Sequence, residues 1–203
     1  MRKFLKSIIL FCFAATLFFI GGLLADHYVL QDKLIRLHVV GNSNSTIDQS
    51  YKLAVRDTVL DYLNSEMCNI SSTDDAREYL LKNTTEIEQL VNNKLAQLNS
   101  GYSGCVSLQQ EAFDMRAYDT FTLPSGVYTA LKVELGEANG KNWWCVAFPS
   151  LCIPKTSEEF LQAAVEAGIG EDLADTVSNN GEYSIRFFFL ECMGKLEKFL
   201  CSF

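Results

Sequence analysis

The sequence predicts an α+β fold in which a small, mainly antiparallel sheet packs against helices, behind one N-terminal signal or transmembrane helix. Close to its start the chain carries a long uncharged apolar run. It then carries two stretches of helical periodicity with capping residues, followed by several short segments bounded by glycine, asparagine and proline. Its 203 residues are 48% hydrophobic and 21% charged, which suits one globular domain behind the N-terminal segment.

The N-terminal segment, residues 1–25, has the pattern of a secretory signal peptide or a signal anchor. Three basic residues in "MRKFLK" precede "SIILFCFAATLFFIGGLL", a run of 18 residues without a charge. Ala25 suits the position before a cleavage site, but the bulky Leu23 two residues earlier favours an uncleaved anchor. Because the basic residues precede the run, the positive-inside rule predicts that residues 26–203 form one extracytoplasmic globular domain.

The predicted domain is acidic and contains six of the seven cysteines. Residues 26–203 hold all 25 acidic residues and 14 of the 17 basic ones, so their net charge is −11 with histidines neutral. This charge disfavours nucleic acid and bare anionic lipid as partners. An extracytoplasmic location permits disulfides, and the six cysteines allow many connectivities, among which the sequence alone does not choose.

Two helices are predicted after a first strand at residues 33–40. The loop that follows the strand is rich in Gly, Asn and Ser. Ser45 begins a capping-box pattern that predicts a helix over residues 46–63, and a second such pattern at Ser72 begins a helix that continues to Leu98. The apolar residues at helical spacing in the first helix are Ile47, Tyr51, Val55, Val59 and Tyr62.

Three antiparallel strands and two further helices complete the predicted order. The strands span residues 105–121, 126–135 and 142–148, each bounded by turn residues. Thr156 caps the next helix and Gly168 ends it. A terminal helix is favoured over a buried strand, because one helical face carries Ile185, Phe188, Phe189, Cys192, Leu196, Phe199 and Leu200.

The enzyme hypothesis is a thiol-dependent site with Cys145 as nucleophile and His38 as its base. His38 is the only histidine beyond residue 27, and the chain has no CxxC, GxSxG, HExxH or phosphate-binding loop. The alternative, which we favour, is a strand histidine with a local hydrogen bond and a packed or disulfide-bonded cysteine. Two histidines cannot build the usual histidine-rich metal site, so we expect no metal and no cofactor.

Two long segments carry a resemblance to a known protein family. They are "IRLHVVGNSNSTIDQSYKLAVRDTVLDYL" at 35–63 and "FTLPSGVYTALKVELGEANGKNWWCVAFPSLC" at 121–152. Together with the single signal segment, they resemble the stage II sporulation protein R family of endospore-forming bacteria. The family pattern reads HVxANSDS before DQxxK and VRD, so Gly41 stands here where Ala is usual, and Asn44 where Asp is usual.

The resemblance implies a signalling protein and not an enzyme. Members are made in the forespore, are exported into the space between the forespore and mother-cell membranes, and there activate a membrane protease that processes a sigma factor precursor. For this chain the resemblance implies that protease as partner, with the membrane as a second contact through the N-terminal segment. The protein would stay membrane-anchored or be released into the intermembrane space.

The segment "NWWCVAFPSLC", residues 142–152, holds both tryptophans and two of the cysteines. If the chain reverses about Phe148 and Pro149, Cys145 lies opposite Cys152 at a Cα separation of roughly 4.5 to 5.5 Å, within disulfide reach. Because Pro149 strains a tight two-residue turn, the reversal is either wider or contains a cis bond. We therefore predict a disulfide between Cys145 and Cys152.

The candidate partner surface lies around the loop after His38 and around Trp143. Alternation along the predicted strand sends Trp144 to the core face and leaves Trp143 on the opposite face. The side chains of this loop can form hydrogen bonds with backbone groups. They lie next to a charged stripe on the first helix, in which Asp48 and Lys52 are spaced to pair, and this combination makes a good docking surface. The alternative is a solvated helix face with loop caps. The predicted surface residues are His38, Asn42, Ser43, Asp48, Gln49, Lys52, Arg56, Asp57 and Trp143.

Overall fold

The structure, a computed structural model, describes residues 2–149, 156–178 and 185–201. The helices in these residues are α1 (Arg2–Lys33), α2 (Thr46–Glu66), α3 (Thr73–Gln97), α4 (Ser157–Glu166), α5 (Glu171–Val177) and α6 (Ile185–Cys201). The strands are β1 (Ile35–Val40), β2 (Gly104–Phe113), β3 (Arg116–Ala117), β4 (Thr122–Leu123), β5 (Gly126–Leu135) and β6 (Asn142–Phe148). The predicted α+β class is confirmed.

Four strands form one mixed sheet in the order β2-β5-β1-β6. β2 and β5 pair antiparallel, from Gly104 with Leu135 to Phe113 with Gly126. β1 lies between β5 and β6, parallel to the first and antiparallel to the second. The three later strands are therefore not all neighbours. β1 has a strand on each side, and all six of its residues are buried.

Helices cover both faces of this sheet. On one face, α2 and α3 pack against a core that includes Leu37 and Val133. On the other face, the last turns of α1 pack with α4, α5 and α6 against a core that includes Leu30 and Tyr128. Since successive strand residues point to opposite faces, covering both faces leaves β1 with no exposed side chain.

Local signals in the sequence are reproduced at the predicted positions. Each predicted helix cap accepts a hydrogen bond, 3.1 Å long, from the backbone N–H three residues later. The peptide bond between Phe148 and Pro149 is cis, one of the two forms expected for this reversal. The confirmed caps are Ser45, Ser72 and Thr156.

Two stretches differ from the prediction. The strand expected to reach residue 121 ends at Phe113, because its partner β5 begins at Gly126, just after Pro124, which has no N–H to extend the pairing. The residues between them form the short β3–β4 ribbon. Helix α5, Glu171–Val177, was not predicted, since seven residues are too few for a clear helical period.

Helix α1 fits a signal or membrane anchor by its length and composition. Its candidate span, Lys3–Lys33, has a mean hydropathy of 2.6 over its most apolar 18 residues, and only 6% of that window is buried. The last turns of α1 belong to the folded domain, because His27 and Leu30 are buried there. The apolar helix therefore continues into the domain without a break.

The sheet has two ends of different character. A Cβ on Gly126, the first residue of β5, would contact the side chains of His27 and Gln31 of α1. Leu135 ends the same strand nine residues later, so at roughly 3.3 Å per residue it lies about 30 Å away. We call the region around Gly126 the α1 end of the sheet and the region beyond Leu135 the loop end.

Candidate functional site

Two loops meet at the loop end of the sheet. The loop between β1 and α2, residues 41–45, lies against the loop between β5 and β6, residues 136–141, and we call them the paired loops. The N–H of Asn139 donates to the carbonyl of Asn42 at 3.0 Å, and the N–H of Gly140 donates to the carbonyl of Gly41 at 2.8 Å. These bonds satisfy backbone groups of both loops and give each loop a fixed shape.

The close approach of the paired loops requires glycine at two positions. A Cβ on Gly140 would lie 2.4 Å from the carbonyl oxygen of Ser43. A Cβ on Gly136 would lie 2.2 Å from Oδ1 of Asn42, and Gly136 also has a φ of +57°, in the left-handed region. Any larger residue at either position would push the loops apart.

Two asparagine side chains fasten the first loop to the second. Oδ1 of Asn42 accepts a hydrogen bond from the N–H of Glu137 at 2.9 Å, and Oδ1 of Asn44 accepts one from the N–H of Lys141 at 2.8 Å. Asn42 also donates through Nδ2 to the carboxylate of Asp48 at 3.0 Å. Since an amide is both donor and acceptor, Asn42 links both loops to the first turn of α2.

Asp48 is the buried centre of this hydrogen-bond network, with 9% of its surface exposed. Its carboxylate accepts hydrogen bonds from the hydroxyl of Ser43, from Asn42, and from the hydroxyl of Tyr102 at 2.8 Å. The bond from Ser43, followed by that from Tyr102, holds the pKa of Asp48 below its ordinary value despite burial. Burial and the bond to Asp48 raise the pKa of Tyr102, so its hydroxyl remains a donor.

Lys52 is also buried, at 5% exposure, but it does not pair with Asp48 as their spacing predicts. Its ammonium group donates to Oε1 of Gln49 at 2.8 Å and to the carbonyl of Lys141 at 2.9 Å. Burial, and then the charges of Arg56 and Lys141, lower the pKa of Lys52. Asp48 and Lys52, both members of the predicted partner surface, are therefore buried and support the paired loops.

Arg56, Asp57 and Trp143 form a more accessible group beside the network. The guanidinium of Arg56 lies 5.0 Å from the ring centre of Trp143 and pairs with Asp57 at 2.6 Å. A cation over an aromatic ring at such a site contributes about 0.5 to 1 kcal/mol. Trp143 packs partly against the core and keeps part of its surface open. All three residues of this group belong to the predicted partner surface.

His38, another member of the predicted partner surface, lies on the other face of the sheet. Its side chain is buried and stacks on Trp144, with ring centres 5.5 Å apart. One ring nitrogen contacts Glu111 and the other contacts Asn142, both at 3.0 Å. His38 is therefore a strand residue with local partners.

The geometry does not support a thiol site at Cys145. In the β1–β6 pairing Cys145 lies opposite Leu37, while His38 lies opposite Trp144, so the side chains of Cys145 and His38 point to opposite faces. Cys145 is disulfide-bonded and 3% exposed. Cys152 lies outside the described residues, so its pairing with Cys145 stays a prediction.

An exposed side chain beside the paired loops was missed by the sequence analysis. The helical period assigns Ile47 to the apolar face of α2, but Ile47 is 62% exposed and Asp48 takes the buried position. Asp48 turns inward because the paired loops supply hydrogen-bond donors to its carboxylate. The capping box at Ser45 was the available signal, since it directs residue 48 back towards the loop. Residues 44–47 are consequently an exposed segment that ends in an apolar side chain.

The region that contains the paired loops matches a known protein family. The model of the stage II sporulation protein R family matches residues 31–158, more than half of the chain. The chain belongs to this family. Stage II sporulation protein R of Bacillus subtilis (strain 168) is 32% identical over 124 residues, which cover 61% of this chain and 55% of that protein. The match thus spans about half the length of this relative. No solved structure matches the chain.

Two departures from the family pattern fall in the paired loops. A Cβ on Gly41 would meet only the movable end of the Gln49 side chain at 2.9 Å, with its next neighbours at 3.5 Å. The usual alanine would therefore need only a small shift. Asn44 uses its Oδ1 as an acceptor, and the usual aspartate has an equivalent oxygen. Both departures are compatible with the same loop contact.

Proposed function

We propose that this protein is an exported sporulation signalling protein that activates a membrane-embedded protease of the mother cell, which then processes a sigma factor precursor. Membership in the stage II sporulation protein R family supports this role. The apolar helix α1 supports export into the space between forespore and mother cell, where α1 anchors the protein or is removed.

The observation that carries the proposal is the position of the paired loops. They lie at the loop end of the sheet, about 30 Å from Gly126 and the last turns of α1. A domain anchored through α1 in one membrane would turn its loop end towards the opposite membrane. A protease embedded in that membrane would then meet residues 44–47 and the group around Trp143 first.

Rigid loops suit an activating ligand. The hydrogen bonds around Asp48 fix residues 41–45 before a partner binds, so little conformational entropy is lost on binding. A ligand activates its target when it binds the active state more tightly than the inactive state. The paired loops would supply this preference through their exposed rim, while Asp48 and Lys52 hold the rim in place.

Coexpression tests the proposed function. The full chain is produced in a non-sporulating host together with the membrane protease and the sigma factor precursor, and the size of the precursor is measured. We expect shortening of the precursor only when all three proteins are present. An unshortened precursor with all three present and correctly inserted would overturn the proposal.

A matched pair of variants tests the surface. Ile47→Ser removes an apolar side chain that is 62% exposed beside the paired loops, and Leu81→Ser removes one that is 58% exposed on α3. We expect Ile47→Ser to lower processing about tenfold, the effect of roughly 1.4 kcal/mol of binding energy. Leu81→Ser should leave processing unchanged. Equal effects of the two variants would remove residues 44–47 from the contact.

A further inference from the structure

The C-terminal helix α6 carries an apolar face that the fold leaves exposed. The side chains on this face recur at helical spacing and form a stripe roughly 120° wide. The sequence pattern is that of a core face, but the structure turns it outward. The exposed fractions are 60% for Phe188, 39% for Phe189, 59% for Leu196, 59% for Phe199 and 64% for Leu200.

Polar contacts on the opposite face fix the orientation of α6. Glu191 accepts hydrogen bonds from the N–H and the hydroxyl of Ser125 at 2.6 and 2.9 Å, and Glu197 accepts one from the N–H of Val127 at 3.2 Å. Between them, a Cβ on Gly194 would lie 1.6 Å from the carbonyl oxygen of Ser125. The helix therefore cannot rotate its apolar stripe inward without losing these contacts.

The apolar stripe is continuous with the candidate membrane span. Phe189 packs edge-to-face on Phe19 of α1, with ring centres 5.7 Å apart. Phe19 lies within the uncharged run that ends at Leu24, about 8 Å from that end at 1.5 Å per residue. Just beyond the run, Arg186 pairs with Asp26 at 2.8 Å, where a charged pair can remain at the aqueous boundary.

We propose that α6 lies in the interface of the bilayer that holds α1, with its apolar stripe against lipid. Interfacial amphipathic helices bury their apolar face by about 5 to 10 Å, which agrees with the depth given by the contact between Phe19 and Phe189. The contact is apolar, so the negative net charge of the domain does not oppose it in uncharged lipid. Helix α6 lies outside the family-matched residues 31–158.

This inference rests on one part of the proposed function, the retention of α1 in the membrane, and is independent of protease activation. Two attachments, α1 and α6, would fix the tilt of the domain. The loop end of the sheet would then point away from the membrane surface.

Three native cysteines provide the test. Cys12 lies in the candidate span, Cys192 lies in the apolar stripe of α6, and Cys105 lies at the loop end of the sheet. Full-length variants keep one of these cysteines, with alanine at the other free ones and with Cys145 and Cys152 left in place. Each variant is labelled with a nitroxide and reconstituted into phosphatidylcholine vesicles. Electron paramagnetic resonance then measures the collision of the label with oxygen, which enters lipid, and with a water-soluble nickel complex.

We expect the label on Cys192 to resemble the one on Cys12, with high access to oxygen and low access to nickel, and the label on Cys105 to show the reverse. A Cys192 label as open to nickel as that on Cys105, with Cys12 in lipid, overturns the inference and leaves the anchor intact. A Cys12 label in water overturns both. Broadening at Cys192 that disappears on dilution with unlabelled protein would assign the stripe to a second copy of the chain and overturn the lipid contact.

A second measurement leaves the cysteines unchanged. Leu196→Trp and Leu81→Trp place a fluorophore at positions of nearly equal exposure, 59% and 58%, in α6 and α3. In vesicles with brominated acyl chains, we expect quenching of the added fluorescence for Leu196→Trp and not for Leu81→Trp. Equal signals from the two variants would contradict the proposal.

Discussion

The two ends of the sheet place polar and apolar groups in opposite ways. At the loop end, the buried Asp48 and Lys52 are satisfied by hydrogen bonds, and the exposed groups are mostly polar. At the α1 end, Glu191 and Glu197 make the inward contacts of α6, while Phe and Leu side chains face outward. Buried Asp48 and Lys52 at the loop end and Glu191 at the α1 end are all hydrogen-bonded, but only the loop end has an exterior suited to water.

The two ends therefore expose two kinds of surface, which the exposed fractions of their side chains alone do not distinguish. Residues 44–47 offer shape and hydrogen bonds fixed by the paired loops, which suits recognition of a specific protein. The stripe on α6 offers a continuous area of exposed Phe and Leu side chains, which suits lipid. The predictions below disturb one end at a time, beginning with the largest expected effect.

The largest effect is expected for Gly194→Ala at the α1 end. The new Cβ would lie 1.6 Å from a backbone oxygen of Ser125, so α6 must move and the hydrogen bonds of Glu191 must break. We expect a loss of about 3 kcal/mol or more in the free energy of unfolding, measured by denaturant titration of the full chain in detergent micelles with tryptophan fluorescence.

Gly22→Ala in α1 is the control for this prediction. A Cβ on Gly22 meets nothing within 4 Å, so we expect an unchanged unfolding midpoint. If Gly194→Ala also left the midpoint unchanged, α6 would not pack on Ser125 as the structure shows.

A smaller, pH-dependent effect is expected for Asp48→Asn at the loop end. The charged Asp48 accepts three hydrogen bonds, and an amide replaces only part of this capacity, so we expect a loss of about 2 kcal/mol at neutral pH. The folded-state pKa of Asp48 is below its ordinary value of 3.8. The stabilisation is therefore fully present above about pH 4 and is lost as the pH falls through the folded-state pKa.

Unfolding titrations of the wild type and Asp48→Asn at neutral and acidic pH measure this difference. Asp57→Asn is the control on the same helix, since the side chain of Asp57 is 60% exposed, and we expect a change within about 0.5 kcal/mol. A difference between wild type and Asp48→Asn that grows as the pH falls would contradict the lowered pKa of Asp48.

Local features of the fold could be predicted from the sequence, whereas long-range contacts could not. The caps at Ser45 and Ser72 depend on residues three positions away, so their pattern is visible in the chain. The central place of β1 depends on parallel pairing with β5, in which Ile35 lies opposite Thr129, and no local pattern encodes that separation. The apolar stripe of α6 was predicted from its helical spacing, but the direction in which the stripe faces depends on the contact between Glu191 and Ser125.

The candidate site was predictable in position but not in the roles of its residues. The polar loop after β1 and the charged stripe on α2 indicated where to look. The burial of Asp48 depends partly on Tyr102, 54 residues away, and that of Lys52 depends on the carbonyl of Lys141. Because helical spacing shows only neighbours on the same helix, it predicted a pair between Asp48 and Lys52 that distant partners replace.

The smallest effect is expected at Asn44, where this chain departs from the family pattern. Oδ1 of Asn44 accepts the N–H of Lys141 at 2.8 Å and so fastens one paired loop to the other. Asn44→Ala leaves that N–H without its partner, and we expect a loss of about 1 kcal/mol in the free energy of unfolding. Asn44→Asp keeps an acceptor and adds a negative charge near the N-terminus of α2, so we expect a change of less than about 0.5 kcal/mol, in the stabilising direction.

Denaturant titration measures both variants, and the coexpression assay shows whether the shape of the loop matters for processing. If Asn44→Asp preserves processing and Asn44→Ala lowers it, the acceptor at position 44 acts through loop geometry and not through charge. If Asn44→Asp alone raises processing, a carboxylate at position 44 contacts the protease directly.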